Sequence, residues 1–397
     1  GADMDLDFAA VDLDHHYYES LDAFTRHLDP EFAQRGVQVV TAGRRTRLLV
    51  GGRVLNFVPN PTFDPIIVAG CIELLFRGEI PEGVDPRSLM QVEPLRAEYQ
   101  NREARLAQIE EQHLRAVVML PTLGCGIEEA LKEDIPATMA TLSAFNQWLE
   151  DDWGFSYQDR IFSTPMLSLA DPEAALAELD RLIARGVRIV HIRPAPVPAG
   201  HGTSRSLGHP AHDPVWARLQ EADIPVAFHL ADSGYGSFAK MWGGDERFEG
   251  YNPNASVLGK VITADRAIHD TVASLVVDGV FWRFPELRVV SIENGSDWVA
   301  LLAKRLKKQA NQTPWAFEDD GLATIRRNVW VTPYYEEDME KLAETIGVER
   351  IVFGSDFPHG EGLEEPTDFA EELTGFGPAD VRRIMRDNGL ELLGTPA

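Results

Sequence analysis

The segment Val11-Asp12-Leu13-Asp14-His15-His16 sets a carboxylate and an imidazole two residues apart. On a β-strand such residues share a face, so Asp14 and His16 aim at one point while His15 points elsewhere. A carboxylate and an imidazole fixed side by side at a strand end make half of a transition-metal site. A second piece stands near the other end of the chain, in Ile351-Val352-Phe353-Gly354-Ser355-Asp356. Ligands so far apart in sequence imply a fold that brings its first and last strands together. Alone, an Asp-x-His pair arises by chance and more often marks a polar strand end, so its weight depends on the elements that carry it.

Those elements are short β-rich apolar runs with helical stretches between them. Strands are predicted at 10–14, 116–121, 161–167, 187–193, 225–230, 288–293, 328–333 and 350–355. Residues 172–185 place Leu176, Leu179, Leu182 and Ile183 on one helical face and stop at Gly186, a C-cap signal. Helices are also predicted at 137–150, 297–310 and 378–393, the last opening on Pro378 and ending before Gly394. This alternation predicts an α/β fold, a (β/α)8 TIM barrel. An open doubly wound sheet fits less well, because no Gly-x-Gly-x-x-Gly follows the first strand. The 397 residues read as one barrel domain with two interruptions. Residues 20–110 form a helical and hairpin insertion after the first strand, with a hairpin at 47–55, and residues 232–258 follow the fifth. Long loops after barrel strands lie at the C-terminal mouth, where they can act as lids, and 20–110 equally suits a subunit contact.

In a barrel, catalytic groups sit at the C-terminal strand ends. The predicted ends carry Asp14 and His16, His191 and Arg193, His229, Glu293 and Asn294, Thr332 and Tyr334, and Asp356. Packing alone does not explain ionisable groups at this many ends. The net charge of -26 argues against a sequence-independent grip on nucleic acid or an anionic membrane. Only Cys71 and Cys125 are present, with no close spacing, which fits a reducing cytosol and no disulfide scaffold. No basic region followed by an apolar run opens the chain, so no signal peptide is expected, and the apolar stretch 66–76 is too short for a bilayer span. The expected location is therefore cytoplasmic.

Six segments stand out together: Asp14-His15-His16-Tyr17-Tyr18-Glu19, Ile192-Arg193-Pro194, Val226-Ala227-Phe228-His229, the run from Arg283 to Val290, Gly354-Ser355-Asp356-Phe357-Pro358-His359, and the run from Asn388 to Gly394. With them the chain resembles the amidohydrolase superfamily, in the branch typified by aminocarboxymuconate-semialdehyde decarboxylase and γ-resorcylate decarboxylase. They occur in the family's order and span nearly the whole chain outside the insertion. The resemblance implies metal ligation by Asp14, His16, His229 and Asp356. It implies one divalent ion, because no lysine stands at a strand end to bridge a pair. Two imidazoles and two carboxylates suit zinc first, with manganese, iron or magnesium as alternatives. Homodimers are common among such proteins, so a homodimer is expected.

On the sixth strand the family often has a histidine followed by glycine, whereas this chain has Glu293-Asn294-Gly295. Glu293 is expected to transfer protons, to ligate the metal, or to orient a ligand histidine. Arg193 suits a bidentate clamp on a substrate carboxylate, with an ion pair to a protein acid as the alternative. His191 is a catalytic or a core histidine, and Tyr235 a candidate substrate contact. His269 beside Asp270 reads as structural, and His201, His209 and His212 as a solvated loop or a second metal site. The expected activity is a metal-dependent carboxy-lyase acting on a small anionic substrate, a conjugated or aromatic carboxylic acid. A hydrolase of an amide, ester, lactone or C–C bond is the alternative, and a non-catalytic metal- or ligand-binding barrel a minor one.

Overall fold

A computed structural model describes residues 6–395. Seven parallel strands run in order around a barrel: Ala10–His16, Leu114–Leu120, Ile161–Ser163 continued by Met166–Leu167, Val190–Ile192, Val226–His229, Val289–Ile292 and Val329–Val331. An eighth segment, 351–357, closes the ring through single parallel bridges, Val331 to Ile351 and His15 to Phe357. Its backbone bonds run from Val352 N to Val331 O (3.1 Å), from Leu13 N to Phe353 O (3.0 Å) and from His16 N to Phe357 O (2.8 Å). The first and last segments are thus neighbours, and the architecture is a (β/α)8 barrel.

Two predicted strands differ in the structure. The run 161–167 breaks at Thr164-Pro165, since proline has no N–H for the ladder, although Pro165 O still accepts from His191 N at 2.8 Å. The run 350–355 is extended but makes only bridge contacts, because it turns inward at Gly354 to present Asp356. A Cβ on Gly354 would stand 2.6 Å from the Asp14 Cβ, so only glycine lets these two segments approach so closely. Gly354→Ala is accordingly expected to weaken divalent-metal affinity about 10–100-fold, the range for a displaced ligand support, as read by metal titration of the folded variant.

Inside the barrel, Val11, Leu13, Val118, Leu120, Phe162, Ile189, Ala227, Val290, Ile292, Trp330 and Val352 pack together with Leu390, Leu392 and Leu393 of the C-terminal helix. That helix seals the end of the barrel away from the site. Arg188 donates to the carbonyls of Leu393 (2.6 Å) and Gly394 (2.7 Å), and Arg288 to Leu392 O, so strand-leading arginines satisfy its orphan carbonyls. The predicted helix 378–393 is continuous but passes through a π turn at Arg383–Asp387.

The insertion is richer in sheet than predicted. It holds a three-stranded antiparallel meander, Val37–Ala42, Arg45–Val50 and Arg53–Val54, whose second turn, Gly51-Gly52, is the predicted hairpin. A short strand pair, Ile66–Ile67 with Val92–Glu93, and the helix Arg102–Glu111 follow. Among the described residues, no helix is long and apolar enough to cross a membrane.

Candidate metal centre

The first strand carries a β-bulge. Asp12 lies opposite Val117 and His15 opposite Met119, so three steps on one strand meet two on the other. Val11 and Leu13 face the barrel interior before the bulge, and Asp14 and His16 face it after. His15 turns the other way, toward Asp12, Arg105 and Phe357.

Asp12, which the sequence reading passed over, ties the two ends of the ring together. Its Oδ1 accepts from Asp14 N and Ser355 N, both at 3.0 Å. Its Oδ2 accepts from Ser355 Oγ at 2.5 Å and lies 3.0 Å from His15 Nε2. Arg105, from the insertion helix, reaches His15 Nδ1 (3.2 Å) and donates to His16 O (2.6 Å). Glu19 plays a similar part for the loop after the second strand, accepting from the N–H groups of Thr122, Leu123 and Gly124 at 3.2, 3.0 and 2.8 Å.

That loop and the fifth strand fix the histidine tautomers. His16 Nδ1 is 3.1 Å from Pro121 O and His229 Nδ1 is 2.7 Å from Leu230 O. A carbonyl only accepts, so each Nδ1 carries a hydrogen, and it is the neutral ring that presents a lone pair on Nε2. Each Nε2 meets carboxylate oxygens. His16 Nε2 is 2.9 Å from Asp14 Oδ1 and from Asp356 Oδ1; His229 Nε2 is 2.7 Å from Glu293 Oε2 and 3.5 Å from Asp14 Oδ1. The buried atoms Asp14 Oδ1, His16 Nε2, His229 Nε2 and Asp356 Oδ1 have no hydrogen-bond partner. Buried carboxylates packed this closely on imidazole nitrogens call for a proton or a metal cation held between them.

The donor atoms of Asp14, His16, His229 and Glu293 all lie within 4.8 Å of one another, a spacing that suits one divalent ion. Asp356 joins through His16 and His359 in a second such group. Burial opposes ionisation of Asp14, but the His16 and His229 imidazoles outweigh it and hold its carboxyl below the usual range. Burial and the charge of Asp356 push Glu293 up to about 7. Glu293 (φ 60°) and Asp356 (φ 61°) both adopt the left-handed backbone that non-glycine residues seldom hold, which turns their side chains off the strand line and into the mouth.

The remaining candidates fall elsewhere. The Arg193 guanidinium is taken by the protein's own acids and does not stand free as a substrate clamp. Nη1 donates to Glu129 (2.5 Å) and to Asp232 O (3.0 Å), and Nε is 3.5 Å from Glu128. These two acids follow the second strand, so nothing near Arg193 in sequence announces them. His191 lies one layer deeper, its Nε2 3.3 Å from His229 O, and burial with the neighbouring His229 pushes it down to about 3, as befits a neutral core ring. Tyr235 lines the cavity beside the site, with its hydroxyl donated to Asp270 at 2.6 Å. His212 is buried against Leu207 O (2.9 Å), and among the described residues neither it nor His201 or His209 enters a metal-type group. His269 pairs with Asp270 at 2.8 Å, the structural role expected of it. His359 and Glu361 were missed, although a histidine three residues beyond Asp356 was a visible signal.

Beside the centre, with none of its donor residues in the lining, is a cavity of about 1140 Å3. Leu230, Asn294 and Tyr334 in its wall are chain neighbours or contacts of His229 and Glu293, and the segment 235–268 forms its far side. Acidic side chains outnumber Arg247 and Lys260 in that lining.

A closed parallel barrel with convergent nitrogen and carboxylate donors at the strand ends defines an enzyme of the metal-dependent TIM-barrel class. The chain belongs to the amidohydrolase family, whose model, described as "Amidohydrolase", matches residues 127–395. It is similar to a solved amidohydrolase from Mycobacterium avium subsp. paratuberculosis, at 56% identity and a TM-score of 0.95 over 99% of this chain and 100% of that one. The fold is shared with 2,6-dihydroxybenzoate decarboxylase from Rhizobium (17% identity, TM-score 0.55, 74% of this chain and 88% of that one). It is also shared with a dihydroxybenzoic acid decarboxylase from Polaromonas, solved with manganese and the inhibitor 2-nitroresorcinol (17% identity, TM-score 0.58, 82% and 93%).

Proposed function

We propose that this enzyme is a metal-dependent carboxy-lyase releasing CO2 from an aromatic or conjugated carboxylic acid. The observation that carries the reading is the meeting of unpartnered Asp14, His16, His229 and Asp356 donor atoms at the barrel mouth, with Glu293 in contact with His229. The decarboxylases named above, one of them holding manganese, support it. Asp14, His16, His229 and Glu293 would hold the ion, with Asp356 beside them. When bound, a divalent ion there supplies a Lewis acid for charge developing on substrate oxygens. The protein's part is to fix the donors: Pro121 O and Leu230 O set the tautomers, and Asp12 sets the spacing of the Asp14 and Asp356 segments. In this reading Glu293 is a ligand, since its carboxylate reaches His229 Nε2 directly.

One observation favours the hydrolase alternative. Arg193 is engaged by Glu128 and Glu129, and acidic side chains outnumber basic ones in the cavity wall, which suits a neutral ester or lactone better than an anion. A panel separates the two. Manganese- or zinc-loaded protein is incubated with hydroxybenzoates and unsaturated acids while CO2 is followed, and with esters and lactones while acid release is followed. CO2 from at least one acid is expected. Ester or lactone turnover with no CO2 from any acid reverses the assignment.

A further inference from the structure

His359 meets the centre described so far only through Asp356 and His16, and Glu361 has no part in it, yet both border it. Asp356 Oδ1 stands between His16 Nε2 at 2.9 Å and His359 Nδ1 at 3.0 Å. The tautomer of His359 follows from Thr122. The single hydroxyl proton of Thr122 goes to Tyr17 O at 2.9 Å, so its oxygen accepts from His359 Nε2 at 3.1 Å. The hydrogen of neutral His359 therefore sits on Nε2, and Nδ1 presents a lone pair to Asp356 Oδ1, with Glu361 Oε1 3.9 Å away. Stacking on His16, with ring centroids 3.9 Å apart, holds the His359 plane in place.

The loop is built to bring Glu361 back over Asp356. Asp356 O accepts from His359 N (2.9 Å), His359 O from Gly362 N (3.1 Å) and Ser355 O from Leu363 N (3.0 Å), while Tyr335 donates to Glu361 O at 3.0 Å. A Cβ on Gly362 would lie 2.6 Å from Ser355 O, so this fold-back needs glycine. Donor atoms of Glu293, Asp356, His359 and Glu361 lie within 4.8 Å of one another, and Asp356 Oδ1 is buried without a hydrogen-bond partner.

We propose that Glu293, Asp356, His359 and Glu361 form a second divalent-cation site that shares Glu293 and Asp356 with the first. The mouth then holds two ions joined by carboxylates, in place of the single ion expected from the missing strand-end lysine. Glu293, Asp356 and Glu361 crowd three carboxyl groups around one point, and a divalent ion there would relieve their mutual repulsion. Three carboxylates and one imidazole suit a hard ion such as manganese or magnesium. The proposal rests on the reading that the first quartet holds a metal.

Equilibrium dialysis of metal-stripped full-length protein against manganese chloride tests it, with bound manganese counted per chain. Two equivalents are expected for the wild type and one for the double variant His359→Ala/Glu361→Gln. The manganese electron paramagnetic resonance spectrum of the wild type should show a spin-coupled pair. One equivalent in the wild type overturns the second site and leaves the first standing; none overturns both. Two equivalents in wild type and variant alike place the second ion elsewhere and overturn the proposal. Should the double variant fail to fold, the wild-type spectrum decides: isolated manganese signals alone overturn it.

Discussion

Replacing His229 by alanine is expected to cost the protein its tight divalent ion and roughly 10³-fold or more in turnover. The estimate follows from a Lewis acid worth several kcal/mol of transition-state stabilisation, at about 1.4 kcal/mol for each factor of ten. His229 presents its Nε2 to Glu293 and Asp14, and Leu230 O holds the ring so that no other nitrogen can substitute. Calorimetry offers a readout that needs no substrate. An ion at a thousand times its dissociation constant stabilises the folded state by about 4 kcal/mol. Manganese should therefore raise the melting temperature of stripped wild-type protein and leave that of His229→Ala nearly unmoved. An equal rise in both would show that the ion binds without His229.

Asp12→Ala is expected to destabilise the fold by about 3–5 kcal/mol and, in whatever fraction folds, to weaken metal binding about 10–100-fold. The carboxylate is fully buried and serves Asp14 N, Ser355 N, Ser355 Oγ and His15. Its loss leaves these donors without an acceptor in a site closed to water. The same loss frees the segments that carry Asp14 and Asp356 from each other. Denaturant unfolding reports the first effect and manganese titration of the milder variant Asp12→Asn the second. Reduced stability with unchanged manganese affinity would mean that Asp12 supports the barrel only.

The sequence made the strand ends legible because the barrel rule assigns them a function. Asp14, His16, His229 and Asp356 were found at the C-terminal end of the ring, and alternation put Asp14 and His16 on one face. The bulge that turns this face inward was not visible, since Val11 and Leu13 already occupy the interior and a simple period of two cannot put Asp14 there as well. The left-handed turns at Glu293 and Asp356 were likewise hidden, because nothing in a glutamate or an aspartate announces a positive φ. Partners distant in sequence were the other blind spot. Arg193 stood open between a substrate clamp and an ion pair, with nothing to name Glu128 and Glu129 as its partners, and Asp12 drew no reading because its partner Ser355 lies far along the chain. The eighth strand was legible as an apolar run, but its reduction to bridges reflects the close approach of Gly354 to Asp14.

Arg105 belongs to the excursion between the first two strands, yet its guanidinium grips His16 O, reaches His15 Nδ1 and lies over the ring of Phe357. That excursion is therefore no detachable ornament for anyone transplanting or trimming this barrel. Cutting it away would strip the buried acceptors at the end of the first strand of their donor and loosen the histidine that needs the firmest footing. A minimal version of the enzyme would have to supply a substitute cation at that spot, or carry the helix Arg102–Glu111 along with the catalytic ring.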